Sequence, residues 1–170
     1  MISISSAKLI RQHVKIFCVS NKNWDFSDMT TLCDKIEEYI TKEYEMNPEK
    51  ERKGKGVIFI TKHAVKEFFS FLVNDIKVSN DYFLNFAEII LDKSEFKQNS
   101  ILLTVALFLL AEFIYQNPGK FEEIWWLVEK YASHHKWAIR EAAAFPIVYG
   151  LKKNPDDILK TLFKWGQKRE

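Results

Sequence analysis

Apolar residues recur along most of the chain at the three- and four-residue spacing of a single helix face, which predicts a succession of amphipathic helices. Ser5 or Ser6 can cap a first helix, Ser27 begins a second, Thr61 is predicted to cap a third, and Ser79 a fourth. Residues 101–115 are apolar nearly all round, which is typical of a helix covered on most sides. The pattern predicts eight helices in about four antiparallel pairs.

Two segments between the second and third helices depart from this pattern. Residues 47–56 contain a proline, two glycines and alternating charges, which predicts a flexible, solvated loop. Residues 57–60, Val-Ile-Phe-Ile, have strand propensity but no neighbouring strand to pair with. We therefore expect them to form an extended or helical approach to the third helix.

The last two helix pairs share one layout: a small and apolar helix, two polar residues, Asn-Pro, and then an amphipathic helix. Placing Asn117-Pro118 on Asn154-Pro155 gives a period of 37 residues and brings Phe108 onto Phe145. Proline ends the preceding helix and suits the first turn of the next one. Helix pairs repeating at this length are typical of HEAT and armadillo solenoids. The sequence therefore predicts an all-α, HEAT-like superhelix that forms a single domain over residues 1–170.

Composition supports a helical globular protein. Five glycines and four prolines, against fourteen phenylalanines and five tryptophans, favour long elements with bulky packing. Cys18 and Cys33 form no CxxC pair, and the apolar run 101–111 is too short to cross a bilayer. The first twenty residues carry charges inside their apolar pattern, unlike a signal peptide. We expect a soluble, cytoplasmic protein, and the net charge of +2 requires any argument for a polyanionic partner to rest on local clustering.

Residues 133–145, SHHKWAIREAAAF, carry the most conspicuous polar chemistry. Residues 133–136 are predicted to be the turn between the last two pairs, and residues 142–144, three alanines, a surface where two helices approach closely. His134 and His135 are adjacent and lack the i, i+4 spacing that presents two imidazoles to one metal, so no metal or other cofactor is predicted. Arg140 has two open interpretations: an ion pair between repeats, or a contact to a ligand.

A basic and aromatic region occupies the C-terminal part of the chain. Residues 131–170 contain eight lysines and arginines against four acids. Adjacent tryptophans cannot both face one core, and an exposed tryptophan beside lysine or arginine suits nucleic-acid contact. The predicted DNA-binding residues are Trp125, Trp126, Lys136, Trp137, Arg140, Lys153 and Lys164. No glycine-rich phosphate loop or nucleophile elbow occurs, which makes a conventional metabolic enzyme an unfavourable interpretation.

The chain from about Tyr39 to Gln167 resembles the DNA alkylation repair family of HEAT-like alkylpurine DNA glycosylases. The resemblance lies in Gly56-Val57 before a helix, the apolar helix 101–115, the Trp-Trp of EEIWWLVEKYA, and HHKWAIREAAAF, which is similar to that family's Trp-x-x-Arg-x-Ala-Ala repeat opening. It implies a curved helical solenoid whose concave basic face holds the DNA backbone, with tryptophans and one carboxylate at the damaged nucleotide.

The family's Trp-Trp is followed by two aspartates, whereas Leu127, Val128 and Glu129 follow it here. Glu129 is thus the candidate, a weak one, for the catalytic carboxylate that the resemblance implies. Without the aspartate, a second function from another class remains open: a non-catalytic HEAT-type scaffold whose groove binds a protein.

Overall fold

The computed structural model describes residues 55–97 and 100–167 continuously, together with residues 8, 11–16 and scattered positions between 31 and 46. Six α-helices follow one another in the continuous part: α1 (Lys55–Phe71), α2 (Asn80–Lys97), α3 (Ser100–Gln116), α4 (Phe121–Ala132), α5 (Trp137–Lys153) and α6 (Pro155–Gln167). The described residues before Lys55 are also helical, and no strand occurs in any described residue. The all-α prediction is confirmed.

The third predicted helix begins earlier than Thr61. Residues 57–60 belong to α1, which begins at Lys55, and within this run Ile60 is buried and Ile58 is half-buried. Thr61 is not a cap: it lies within α1, fully buried, with no hydrogen-bond partner for its hydroxyl. Lys55 and Gly56, predicted to end the charged loop, are helical, while residues 47–54 lie outside the described residues.

The connection from α1 to α2 is a π-helical turn, Leu72–Ile76, followed by three non-helical residues. Lys77 closes the turn in the left-handed conformation, with φ 58°, and its N–H donates to the Leu72 carbonyl. Ser79 then caps α2, because its hydroxyl accepts a hydrogen bond from the Tyr82 N–H at 3.4 Å. The predicted capping role of Ser79 is confirmed.

Helix α3 is the centre of the core, as its apolar composition predicts. Every residue from Leu103 to Ile114 is buried, and α3 packs against α1, α2 and α5. The packing of α3 on α5 is the most extensive in the molecule, and the rings of Phe108 and Phe145 meet there at 4.8 Å. Ala142 and Ala143 are fully buried, which confirms the predicted close-approach surface for these two, whereas Ala144 is exposed.

Glycine and proline inside α5 serve packing. The helix runs unbroken through a buried Pro146 to Lys153, so Gly150 lies well inside it. A Cβ at Gly150 would fall 2.7 Å from Ile158 Cγ1 of α6 and 3.0 Å from Ile114 Cγ2 of α3. The missing side chain at Gly150 lets α3, α5 and α6 meet closely.

An asparagine lies at or shortly before the start of each of α2, α4 and α6: Asn80, Asn117 and Asn154. Asn80 Nδ2 donates to Asn117 Oδ1 at 3.0 Å, across 37 residues of sequence. Asn154 Nδ2 donates to Asp157 Oδ2 at 2.8 Å in the first turn of α6. The Asn-Pro turns therefore carry specific polar contacts. No described helix is both long and apolar enough to cross a membrane.

Candidate functional site

Three of the predicted DNA-binding residues meet at the start of α5. Trp137, the first residue of the helix, is 46% exposed, and Lys136 directly precedes it. Lys136 Nζ donates to Ser100 Oγ at 2.5 Å, which brings the N-termini of α3 and α5 side by side. Arg140 lies one turn further along α5 and is exposed. This corner combines a cation, an exposed indole and two helix N-termini, groups that attract an anion.

Arg140 stabilises the turn that precedes α5. Its Nη1 donates to the carbonyl oxygens of His134 and His135 at 2.8 and 2.9 Å. The ion pair between repeats, one of the two interpretations of Arg140, is not found among the described residues. The His134 and His135 rings stack at 4.3 Å, and His134 Nδ1 accepts from the Lys136 N–H at 3.1 Å. The described residues contain no group of three or more His, Cys, Asp or Glu placed to hold a metal ion.

The adjacent tryptophans of α4 face different environments, as expected. Trp125 is half-buried and packs edge-to-face on Phe121 at 5.7 Å and on Trp165 at 5.1 Å. Trp126 is 53% exposed. Leu159 and Phe163 of α6 are also exposed, Phe163 by 70%, and we refer to these three exposed apolar side chains of α4 and α6 together as the α4–α6 surface.

The remaining predicted residues on α4 and α6 have partners within the protein. Glu129 is half-buried, and its Oε1 accepts from Trp165 Nε1 at 2.9 Å. Lys164 Nζ forms an ion pair with Glu122 Oε2 at 2.9 Å. Both contacts tie α6 to α4. Glu129 therefore supports the packing of a half-buried tryptophan in this structure.

Lys153 lies at the far end of α5 from Trp137. Sixteen helical steps of about 1.5 Å place the two residues about 24 Å apart along the axis. Lys153 Nζ lies 5.4 Å from the centre of the Tyr115 ring, at the end of α3. The seven predicted residues therefore fall in three places: the start of α5, the α4–α6 contact, and the end of α5.

The end of α5 is part of a larger cluster that sequence reasoning missed. Lys62 of α1 lies over two rings of α5, with Nζ 5.1 Å from the centre of Phe145 and 5.8 Å from that of Tyr149. Lys152 lies 5.8 Å from Tyr149 on the same element, and Tyr149 packs edge-to-face on Tyr115 at 6.1 Å. We define the lysine–tyrosine face as Lys62, Lys66, Tyr115, Tyr149, Lys152 and Lys153.

The lysines of this face lack carboxylate partners. Lys62, Lys66, Lys152 and Lys153 form no ion pair with any residue in the described part of the chain. Partial burial lowers the pKa of Lys62, and the like charges of Lys152 and Lys66 lower it further, against an opposite effect of Glu112. The face thus holds an excess of positive charge that an anion would stabilise.

Glu112 of α3 is a buried acid whose charge acts on Lys62 and Tyr149 of this face. It is only 8% exposed and makes no hydrogen bond or ion pair within the described residues. Burial raises the pKa of its carboxyl, while Lys66 and Lys62 oppose the rise. Burial, together with the charge of Glu112, raises the pKa of Tyr149 to about 12, so its phenol stays protonated near neutral pH.

A second titratable contact adjoins the face. Arg11 Nη2 donates to His63 Nδ1 at 2.6 Å, which joins the N-terminal helical residues to α1. Burial lowers the pKa of His63, and the charges of Arg11, Lys62 and Lys66 lower it further. Because arginine only donates hydrogen bonds, His63 Nδ1 is the acceptor, so the imidazole is neutral in this contact.

One signal for this cluster was present in the sequence. Glu112 is the only charged residue in the apolar segment 101–115, and a lone acid in a covered helix is a candidate for a perturbed, functional group. Its lysine neighbours come from α1 and cannot be inferred from local patterns. No protein-family model, curated protein or solved structure matches this chain.

Proposed function

We propose that the chain is a HEAT-type helical-repeat protein that binds duplex DNA by its phosphate backbone, through the lysine–tyrosine face. The observation that carries the proposal is the set of four lysines on α1 and α5 that form no ion pair among the described residues, three of which, Lys62, Lys152 and Lys153, lie over aromatic rings. Catalysis is no part of the proposal, because Glu129, the carboxylate that the resemblance implies, bonds to Trp165. A reducing, cytoplasmic compartment fits the two cysteines, Cys18 and Cys33, because they form no CxxC pair.

The recurrence of equivalent positions supports the helical repeat. Asn80, Asn117 and Asn154 follow one another at the stride of 37 residues, and the first two are hydrogen-bonded. The inward positions of α2, α4 and α6 keep the same stride. They are buried or half-buried at Leu84, Phe121 and Ile158, at Ala87, Ile124 and Thr161, and at Leu91, Val128 and Trp165. The same burial at equivalent positions is expected when each helix pair buries its apolar side against the next helix pair.

The first helices of the three pairs support a concave shape on the side of the lysines. Helix α3 packs between α1 and α5, yet α1 also contacts α5 directly. Contact between the first and third helices of a layer requires curvature around the second. Lys62 makes this contact, since it lies on α1 and covers rings of α5. In the proposed solenoid the lysine–tyrosine face therefore lies on an inward-curving side, where a duplex backbone can be held.

Phosphate binding follows from the chemistry of the face. Lysines that bind phosphates release condensed counterions from DNA, so the affinity falls linearly with the logarithm of salt concentration, by roughly 0.9 in slope for each phosphate neutralised. Tyrosine hydroxyls add neutral hydrogen-bond donors to phosphate oxygens. Lys153, one of the predicted contacts, belongs to this face, and the corner formed by Lys136 and Trp137 offers a second contact along the duplex.

The test compares two variants of equal charge. One changes Lys66, Lys152 and Lys153 to Gln; the other changes Lys120, Lys130 and Lys160, all on the α4 and α6 side, to Gln. Binding to a labelled duplex is measured across salt concentrations. The first variant should reduce the salt slope by about 2 to 3 and the affinity strongly, while the second should keep the wild-type slope. Equal losses in both variants, or wild-type binding that does not weaken with salt, would refute the proposal.

The α4–α6 surface favours the second candidate function, a protein-binding scaffold. Trp126, Leu159 and Phe163 expose large apolar area, and exposed aromatic groups are typical of interaction sites between proteins. A scaffold that used this surface would lose partner binding in a Trp126→Ala, Phe163→Ala variant while its DNA affinity stayed unchanged. The reverse pattern, with DNA binding lost, would place this surface in the nucleic-acid site.

A further inference from the structure

Glu112 lies at the junction of the three helices that carry the lysine–tyrosine face. It belongs to α3, the helix between α1 and α5, and is more than nine-tenths buried without a hydrogen-bond partner in the described residues. The charged or titratable groups that act on it or feel its charge are Lys62 and Lys66 from α1 and Tyr149 from α5. An ionised carboxylate in this place is costly, because burial removes its water without a direct bond in return.

We propose that Glu112 is a proton-controlled regulator of this face: phosphate groups bind tightly when Glu112 is protonated and more weakly when it is ionised. The inference rests on the proposed function, since it concerns the affinity of the same site for DNA. It assigns a role to a residue that does not itself touch the phosphate.

Electrostatics gives the direction of the effect. An ionised Glu112, whose charge acts on Lys62 and Lys66, cancels part of their positive potential, and a mostly buried charge is screened less by salt than an exposed one. Protonation removes that negative charge and leaves the lysines uncompensated. By linkage, a bound polyanion must raise the pKa of Glu112 further, so DNA binding should be accompanied by proton uptake. The raised pKa in the free protein brings this titration upward from 4.5, towards mildly acidic pH.

His63 is the other group nearby that titrates at mildly acidic pH. Its pKa is lowered by burial and by Arg11, Lys62 and Lys66, and a polyanion on the face would favour its protonation too. Lys152 acts on Lys62, and Tyr149, with a pKa of about 12, does not titrate in this range. The effect of Glu112 on DNA affinity must therefore also be measured in a His63→Asn protein, in which residue 63 no longer titrates.

The experiment measures the affinity for a labelled duplex DNA at fixed ionic strength from about pH 5 to about pH 8. Glu112→Gln should bind at least about fivefold more tightly than wild type at the upper end, and the two proteins should converge as pH falls. Glu129→Gln is the matched control, because it changes net charge equally on the other side of the molecule and should leave affinity nearly unchanged. His63→Asn should keep the difference that Glu112→Gln makes.

Proton uptake provides a second measurement that does not depend on Glu112→Gln folding. Calorimetry of DNA binding to the His63→Asn protein, in two buffers of different ionisation enthalpy at about pH 5 to 6, should show net proton uptake. Three results would each contradict the role of Glu112 while leaving the proposed DNA binding intact. They are the absence of proton uptake, equal affinities of wild type and Glu112→Gln, and an equal gain in affinity from Glu129→Gln. No DNA binding by any of these proteins at any pH would overturn the proposed function and this role with it.

Discussion

The lysine–tyrosine face and the α4–α6 surface differ in how their charged groups are paired within the protein. On the lysine–tyrosine face, cations lie over rings, and the nearby acid, Glu112, is buried without a direct bond to any described residue. On the α4 and α6 side, Lys164 pairs with Glu122, and Glu129 accepts from Trp165, while three large apolar side chains, Trp126, Leu159 and Phe163, are exposed. The first region thus keeps unsatisfied charge for an anionic ligand, and the second keeps unsatisfied apolar area. The difference indicates that one protein can offer surfaces for two classes of partner.

The largest expected effect is on stability, and it distinguishes the buried packing under the lysine–tyrosine face from the exposed side chains of the α4–α6 surface. Phe108 is buried beneath the lysine–tyrosine face and packs on Phe145, so Phe108→Ala should lower the free energy of unfolding by about 3 to 5 kcal/mol. Phe163→Ala removes the same ring from an exposed position and should change stability by less than about 0.5 kcal/mol. Urea unfolding of both variants measures the contrast. Similar losses would show that Phe163 is covered in solution.

The two carboxylates should respond with opposite sign. Glu129→Ala leaves Trp165 Nε1 without its acceptor and should destabilise the protein by about 1 to 3 kcal/mol. Glu112→Gln removes a buried charge that has no hydrogen-bond or ion-pair partner in the described part of the chain, and it should stabilise the protein by roughly 1 kcal/mol at neutral pH. Because the folded pKa of Glu112 is raised, this gain should shrink as pH falls and should be lost below 4.5, where the carboxyl also becomes protonated in the unfolded chain. Denaturant unfolding of both variants at pH 7 and near pH 4.5 tests both signs.

A smaller effect concerns the histidine beside the lysine–tyrosine face. The folded pKa of His63 lies below its ordinary value of 6.5, so the folded chain resists protonation more than the unfolded chain does. The His63 contribution to stability is therefore complete above about pH 6.5 and is lost as pH falls below it. Wild type should lose more unfolding free energy between about pH 7.5 and pH 5.5 than His63→Asn. Parallel stability curves for the two proteins would contradict the neutral imidazole seen in the Arg11 contact.

The smallest effect belongs to the α4 and α6 side. The Lys164–Glu122 pair is exposed on both partners, and such pairs contribute about 0.2 to 1 kcal/mol. A double-mutant cycle of Lys164→Ala and Glu122→Ala should give a coupling in this range that fades at high salt. A larger coupling that resists salt would mean that this pair is shielded, which would remove the contrast with the lysine–tyrosine face.

Local pattern was sufficient to predict much of this fold. The apolar segment 101–115 predicted the covered helix α3, and Ser79 was correctly identified as the cap of α2. The start of α1 was missed, because Thr61 has the chemistry of a cap, while the burial of Ile60 depends on tertiary packing. The all-α class follows from the periodicity of the sequence alone.

The candidate site was less accessible to sequence reasoning. The predicted basic contacts, Lys136, Arg140, Lys153 and Lys164, were chosen within one window, residues 131–170, yet only Lys153 of the seven predicted residues belongs to the lysine–tyrosine face. Lys62 reaches this face only because α1 crosses to α5, a contact between residues far apart in sequence. Similarly, Trp125 and Trp126 have the same chemistry, and only the orientation of α4 determines that one is half-buried and the other exposed.

The contact between the indoles of Trp125 and Trp165 gives the protein an optical signal of its own. Two such chromophores with ring centres 5.1 Å apart, one on α4 and one on α6, couple their electronic transitions and should produce a paired positive and negative band in ultraviolet circular dichroism. Detachment of the last helix would abolish that band while most of the helical spectrum remained. The seam between α4 and α6 can therefore be followed during unfolding or partner binding without any added label.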